Sequence, residues 1–118
     1  MHLTVDIRIA GCAARCWHCY VNGGPGPLMP LEEYRCCLDT LEVVFDGLKK
    51  HGVKIDLCLD YEPLLHPDIC EILKITAERF EHHFVWSTFP TTGIPIATRP
   101  DWEEILETLR DVGFSEIM

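Results

Sequence analysis

Basic side chains are scarce in this 118-residue chain: ten Lys and Arg stand against nineteen Asp and Glu, a formal net charge of −9. Surfaces for nucleic acid or anionic lipid are built from clustered cations. No basic run exceeds the pair Lys49-Lys50, which excludes a generic nucleic-acid surface. Long apolar runs are missing too. A membrane helix needs about 18 consecutive apolar residues, and no stretch approaches that. The first residues, Met-His-Leu-Thr-Val-Asp-Ile-Arg, lack the charged segment and apolar core of a secretion signal. These absences predict a cytoplasmic protein with no membrane association. Internal repeats and low-complexity segments are also absent. At 47% apolar and 25% charged residues, the composition is that of one ordinary globular domain over residues 1–118.

Cysteine, by contrast, is plentiful. The seven cysteines are Cys12, Cys16, Cys19, Cys36, Cys37, Cys58 and Cys70. An odd number without a secretion signal argues against a disulfide framework. Clustered thiols in a reducing compartment read as metal ligands. The four outside the cluster read as small hydrophobes, Cys58 as a wall or lining residue of a strand.

Along the chain, short alternating runs give way to longer helical ones. Residues 3–9 alternate apolar and polar at period two and predict a half-buried strand. The Gly/Pro-rich residues 23–27 predict an irregular connection. Residues 30–50 predict a helix with Leu31, Tyr34, Leu38, Leu41, Val44, Phe45 and Leu48 on its apolar face, closed by Gly52. Residues 53–59 form a second strand pattern. Pro67 opens a second helix carrying Ile69, Ile72, Leu73, Thr76, Ala77 and Phe80. Residues 84–89 predict a third strand, and residues 90–100 a loop. Asp101 is placed as the cap of a third helix whose Trp102, Ile105, Leu106 and Leu109 form the buried stripe. Gly113 ends it, and residues 114–118 begin a fourth strand. The order predicts an α/β fold of parallel βα repeats with right-handed crossovers. In such folds functional residues sit on loops after the C-terminal strand ends.

Two such loops hold the candidate chemistry. Cys12-Ala-Ala-Arg-Cys16-Trp-His-Cys19 places three thiols in one short loop. Thiolates suit Zn²⁺ or iron–sulfur clusters. A structural zinc site usually closes with four ligands as two separated pairs. No second pair follows here, and His18 has little freedom to fold back from between Trp17 and Cys19. Three thiolates would leave a 4Fe-4S cubane with one open iron. A zinc loop is the competing reading.

At these residues the sequence resembles the radical S-adenosylmethionine superfamily, whose signature is Cys-x-x-x-Cys-x-aromatic-Cys. Cys12, Cys16 and Cys19 match, and His18 occupies the aromatic position, which in the family lies against the adenine. Members usually carry Gly-Gly-Glu-Pro after the second strand, where the cofactor's methionine amino group is held. This chain has Asp60-Tyr61-Glu62-Pro63, continued by Leu64, Leu65, His66 and Pro67. Glu62 and Pro63 match; Asp60 and Tyr61 replace the two glycines. Ser87 and Thr88 near the end of the third strand resemble family strands that approach the cofactor.

The resemblance implies a 4Fe-4S cluster on Cys12, Cys16 and Cys19. It implies S-adenosylmethionine held by His18, Asp60, Tyr61, Glu62 and Pro63. It also implies an electron donor such as flavodoxin or ferredoxin. One-electron cleavage of S-adenosylmethionine would give methionine and a 5′-deoxyadenosyl radical, which takes hydrogen from a substrate. The family's partial TIM-like barrel has six βα units, and this sequence supplies about three. The expectation is therefore an N-terminal half, from a truncated gene or a longer enzyme, or a chain completed by self-association or a partner chain. The alternatives are a non-catalytic zinc- or cluster-binding module and an inactive remnant.

Overall fold

Two parallel strands and the helix that joins them form the centre of the computed structural model, which describes residues 1–12, 14, 16–19, 24–80 and 90–114. Strand β1 (His2–Ile7) pairs with β2 (Lys54–Leu59) in register, from His2 opposite Lys54 to Ile7 opposite Leu59. Parallel pairing cannot be made by a tight hairpin, so a crossover must intervene. Helix α1 (Leu31–Lys49) supplies it. Its first turn carries Glu32 and Glu33 and its last turn Lys49, both favourable to the helix dipole. Gly52, at φ 72°, turns the chain back toward β2 in a conformation that disfavours other residues.

After β2 come a 3₁₀ turn (Pro63–Leu65), helix α2 (Ile69–Phe80), a short helix α3 (Ile94–Thr98) and helix α4 (Trp102–Asp111). The chain is α/β with a parallel two-stranded sheet among the described residues. The expected third strand, with Ser87 and Thr88, lies outside the described residues, as do residues 115–118 of the expected fourth.

Strand alternation sorts the sheet into two faces. Ile7, Ile55, Leu57 and Leu59 join Tyr34, Leu38 and Phe45 of α1 and Ile69, Ile72, Leu73 and Phe80 of α2 in one buried cluster. Phe45 and Phe80 meet edge to face at 5.3 Å. Burying each large side chain contributes about 1.5–3 kcal/mol before entropy is counted. Tyr34 and Thr76 bring hydroxyls into this core and satisfy each other at 2.6 Å. Burial drives the Tyr34 hydroxyl well above its ordinary pKa.

Several expectations need correction. Residues 90–100 are not all loop, because Ile94–Thr98 is helical. Asp101 precedes α4 but makes no side-chain cap; Arg99 takes its carboxylate at 2.7 and 2.8 Å. Trp102 is 41% exposed, and the buried stripe of α4 is Ile105, Thr108 and Leu109. Val44 is 45% exposed, whereas Ile75 of α2, absent from the expected face, is buried.

Candidate functional site

The first candidate loop leaves β1 through a rigid base. Ile9 and Ala10 are fully buried, so the chain is anchored before the cysteines begin. Cys12 N–H donates to Gly24 C=O at 2.8 Å, and Met29 N–H donates to Ile9 C=O at 2.9 Å. The backbones of Gly11 and residues 24–26 lie so close that a Cβ on Gly11 would meet Gly24 O at 2.8 Å and the Pro25 carbonyl carbon at 2.9 Å. Only glycine fits there.

Beyond this neck the loop opens to solvent. Cys19 N–H donates to Cys16 C=O at 3.1 Å, so these two cysteines share one turn. Cys16 and His18 are exposed, Cys12 and Cys19 partly buried, and Trp17 is 96% exposed. The Trp17 and His18 rings meet edge to face at 5.5 Å. None of the three thiols is in a disulfide. No group of three His, Cys, Asp or Glu side chains among the described residues stands in metal-holding geometry. By donor chemistry the set still fits an iron–sulfur cluster: three soft thiols on one exposed loop whose base is fixed.

The second candidate segment, after β2, is tied down from several sides. Asp60 N–H donates to Ile7 C=O at 2.9 Å, and Glu62 N–H to Gly11 C=O at 3.3 Å. The turn therefore sits directly against the base of the cysteine loop. The Asp60 carboxylate accepts from Tyr61 N–H at 2.8 Å. Tyr61 has φ 66°, the left-handed region that glycine occupies freely and other residues at a cost of roughly 1 kcal/mol or more. Its ring lies under the Arg8 guanidinium, 3.9 Å from the centroid, a contact that offsets about 0.5–1 kcal/mol of that cost.

Glu62 is 1% exposed. Its Oε1 accepts from Thr91 Oγ1 at 2.8 Å, and its Oε2 from Thr92 N–H at 2.5 Å and Thr92 Oγ1 at 2.6 Å. A buried charge demands such partners. His66, also buried, accepts at Nδ1 from Asp68 N–H at 3.0 Å. Its Nε2 must then carry the proton, donated to Met29 C=O at 2.7 Å. Arg99 donates to Leu64 C=O at 2.7 Å and His66 C=O at 2.8 Å, while its hydrogen bond holds the Asp101 carboxyl below the ordinary range.

On the sheet face opposite the core, Asp6 stands beside Cys58 in register. Burial, with added repulsion from Asp6 and Asp60, pushes the Cys58 thiol up to about 11. This half-buried position agrees with its reading as a wall residue.

The structure thus brings residues 60–63 against the base of the cysteine loop and leaves His18 at the exposed tip. Thr91, Thr92, Arg99 and the Arg8–Tyr61 stack were not singled out from sequence. Thr91-Thr92-Gly93-Ile94-Pro95 does carry a signal, since hydroxyl residues followed by proline mark a helix start. The partner of that start, Glu62, is 29 and 30 residues away, beyond any local pattern.

Residues 7–118 match the family model of the radical SAM superfamily. The match spans both the cysteine loop and the turn after β2. No curated protein matches the chain.

Proposed function

The chain belongs to the radical SAM superfamily, and from that premise we propose that it takes part in radical cleavage of S-adenosylmethionine. The observation that carries this reading is the family match over residues 7–118, joined to three cysteines free of disulfides at the family spacing. In this reading Cys12, Cys16 and Cys19 hold a 4Fe-4S cluster. His18 and residues 60–63 face S-adenosylmethionine. When bound, the cluster supplies the electron that breaks the sulfonium C–S bond, giving methionine and a 5′-deoxyadenosyl radical that takes hydrogen from an organic substrate.

The chain's own part is positional. The neck at Gly11 and Gly24 fixes where the thiols leave the sheet. The hydrogen bond from Glu62 N–H to Gly11 C=O sets the turn against that neck. Exposure of Cys16, Trp17 and His18 gives a low-potential one-electron donor of the flavodoxin or ferredoxin type access to the loop. Further strands, from this chain's second copy or from a partner chain, would close the barrel over the open sheet face.

Iron and acid-labile sulfide, measured after anoxic reconstitution of the wild type and Cys16→Ala, test the reading. About four of each per chain, lost in the variant, are expected. A colourless protein holding one zinc would instead establish a metal-binding module without turnover.

A further inference from the structure

Strand β1 turns its odd-numbered residues toward β2. Met1 C=O accepts from Lys54 N–H, and Ile7 C=O from Asp60 N–H. By the alternation of a strand, His2, Thr4 and Asp6 then aim their N–H and C=O groups outward. Among the described residues no strand pairs with that edge. His2, Leu3, Thr4 and Asp6 are exposed and Val5 is half-buried. An open edge is a template for another strand.

This edge is complementary to itself. In an antiparallel pair centred on Thr4, the outward groups of His2 meet those of Asp6 in a second copy, and Thr4 meets Thr4. On the face away from the helices, that register sets the His2 imidazole against the Asp6 carboxylate. His2 Nε2 already holds Asp56 at 2.6 Å, which leaves Nδ1 for a second carboxylate. On the helix face it sets Leu3, 37% exposed, against Val5. A shift of two residues toward the strand's end would put His2 opposite Arg8 instead.

Helix α1 offers a matching flank. Its Arg35, Asp39 and Glu42 pair with Glu71 and Arg79 of α2. At helical spacing the opposite flank carries Cys37, Thr40, Val44 and Gly47. Thr40, Val44 and Gly47 are exposed, and a Cβ on Gly47 would meet nothing within 4 Å. Two such flanks of small residues can approach to the roughly 8–10 Å of packed helices.

We propose that the chain forms a twofold dimer through β1, antiparallel about Thr4, with the two α1 flanks packed across the axis. Such an interface uses the same patch on both copies. Antiparallel pairing puts the two cysteine loops at opposite ends of the joined sheet. The dimer therefore needs no cluster, and it stands or falls apart from the radical SAM reading.

Sedimentation of the metal-free full chain tests this, under reductant so that the seven cysteines form no disulfides between copies. The wild type should be a dimer at about 100 μM. Thr4→Pro removes an outward N–H and spares the bonds to β2. It should weaken the dimer about tenfold or more with an unchanged far-UV spectrum. His2→Glu sets two acids against each other and Asp6→Lys two bases, so each variant alone should dimerise about tenfold more weakly. An equimolar mixture of the two restores opposite charges in both pairs and should dimerise as the wild type does. A monomeric wild type overturns the proposal, as does a dimer that Thr4→Pro leaves intact. A mixture no tighter than its separate components overturns the antiparallel register. Should Thr4→Pro fail to fold, the charge variants and their mixture decide alone.

Discussion

The cysteine loop and the turn after β2 touch at Gly11, but they are built on opposite plans. Past its neck the loop presents Cys16, Trp17 and His18 to solvent, and a backbone turn joins Cys19 N–H to Cys16 C=O. Residues 60–67 are clasped on three sides, by Thr91 and Thr92 through Glu62, by Met29 through His66, and by Arg99 at the carbonyls of Leu64, His66 and Pro67. The difference separates what the chain organises alone from what a metal would organise. A thiolate loop gains its order from its metal, whereas a turn that must face a ligand's polar head benefits from being rigid beforehand.

Breaking the turn should therefore cost far more than breaking the loop. Glu62→Ala empties a buried position and removes the acceptor that Thr91 Oγ1, Thr92 N–H and Thr92 Oγ1 share. It should destabilise the metal-free chain by about 3 kcal/mol, read in urea unfolding. Arg99→Ala strips the carbonyls of Leu64 and His66 and should cost about 2 kcal/mol in the same assay. If Glu62→Ala unfolds at the wild-type midpoint, the contrast between the two regions collapses.

A third prediction concerns the sheet face beneath the turn. The Cys58 thiol is protonated more tightly in the folded chain than in the unfolded one, so its contribution is fully present below about pH 9. That contribution fades as pH rises toward about 11. For a half-exposed group the loss should not exceed about 1 kcal/mol, and Cys58→Ser should flatten that limb of a pH–stability curve. The smallest effect belongs to the loop. Cys16→Ala should shift the stability of the metal-free chain by less than about 0.5 kcal/mol, while abolishing cluster assembly. A large loss without metal would mean that the loop is structured in its own right.

Much of this was legible in sequence, and the exceptions have physical causes. The βαβ unit could be read because period-two and period-3.6 patterns are local and Gly52 turns the chain after α1 with positive φ, as Gly113 does after α4. The cysteine cluster could be read from spacing, whereas Glu62 stood out only through the family resemblance. Trp102 misled because a large aromatic at the right phase satisfies the apolar pattern, yet it lies in the first turn of α4, at the edge of the core. Asp101 misled because a cap residue can be claimed by a nearer cation, here Arg99 two positions before it. The clasp on Glu62 was illegible because it joins segments brought together only by tertiary folding. Tyr61 stands in a glycine's place; the stack on Arg8 is the compensation that position alone does not reveal.

The neck of the cysteine loop has a consequence for lineage and engineering. Where two backbones are locked by glycine contact and a hydrogen bond, the ends of the intervening segment are fixed whatever its length. Closure entropy then grows only logarithmically, so four residues inserted within positions 20–23 should cost a few tenths of a kcal/mol. Between Cys12 and Gly24, whose positions the neck fixes, added length thus costs little in closure entropy. Gly11 itself admits no such freedom.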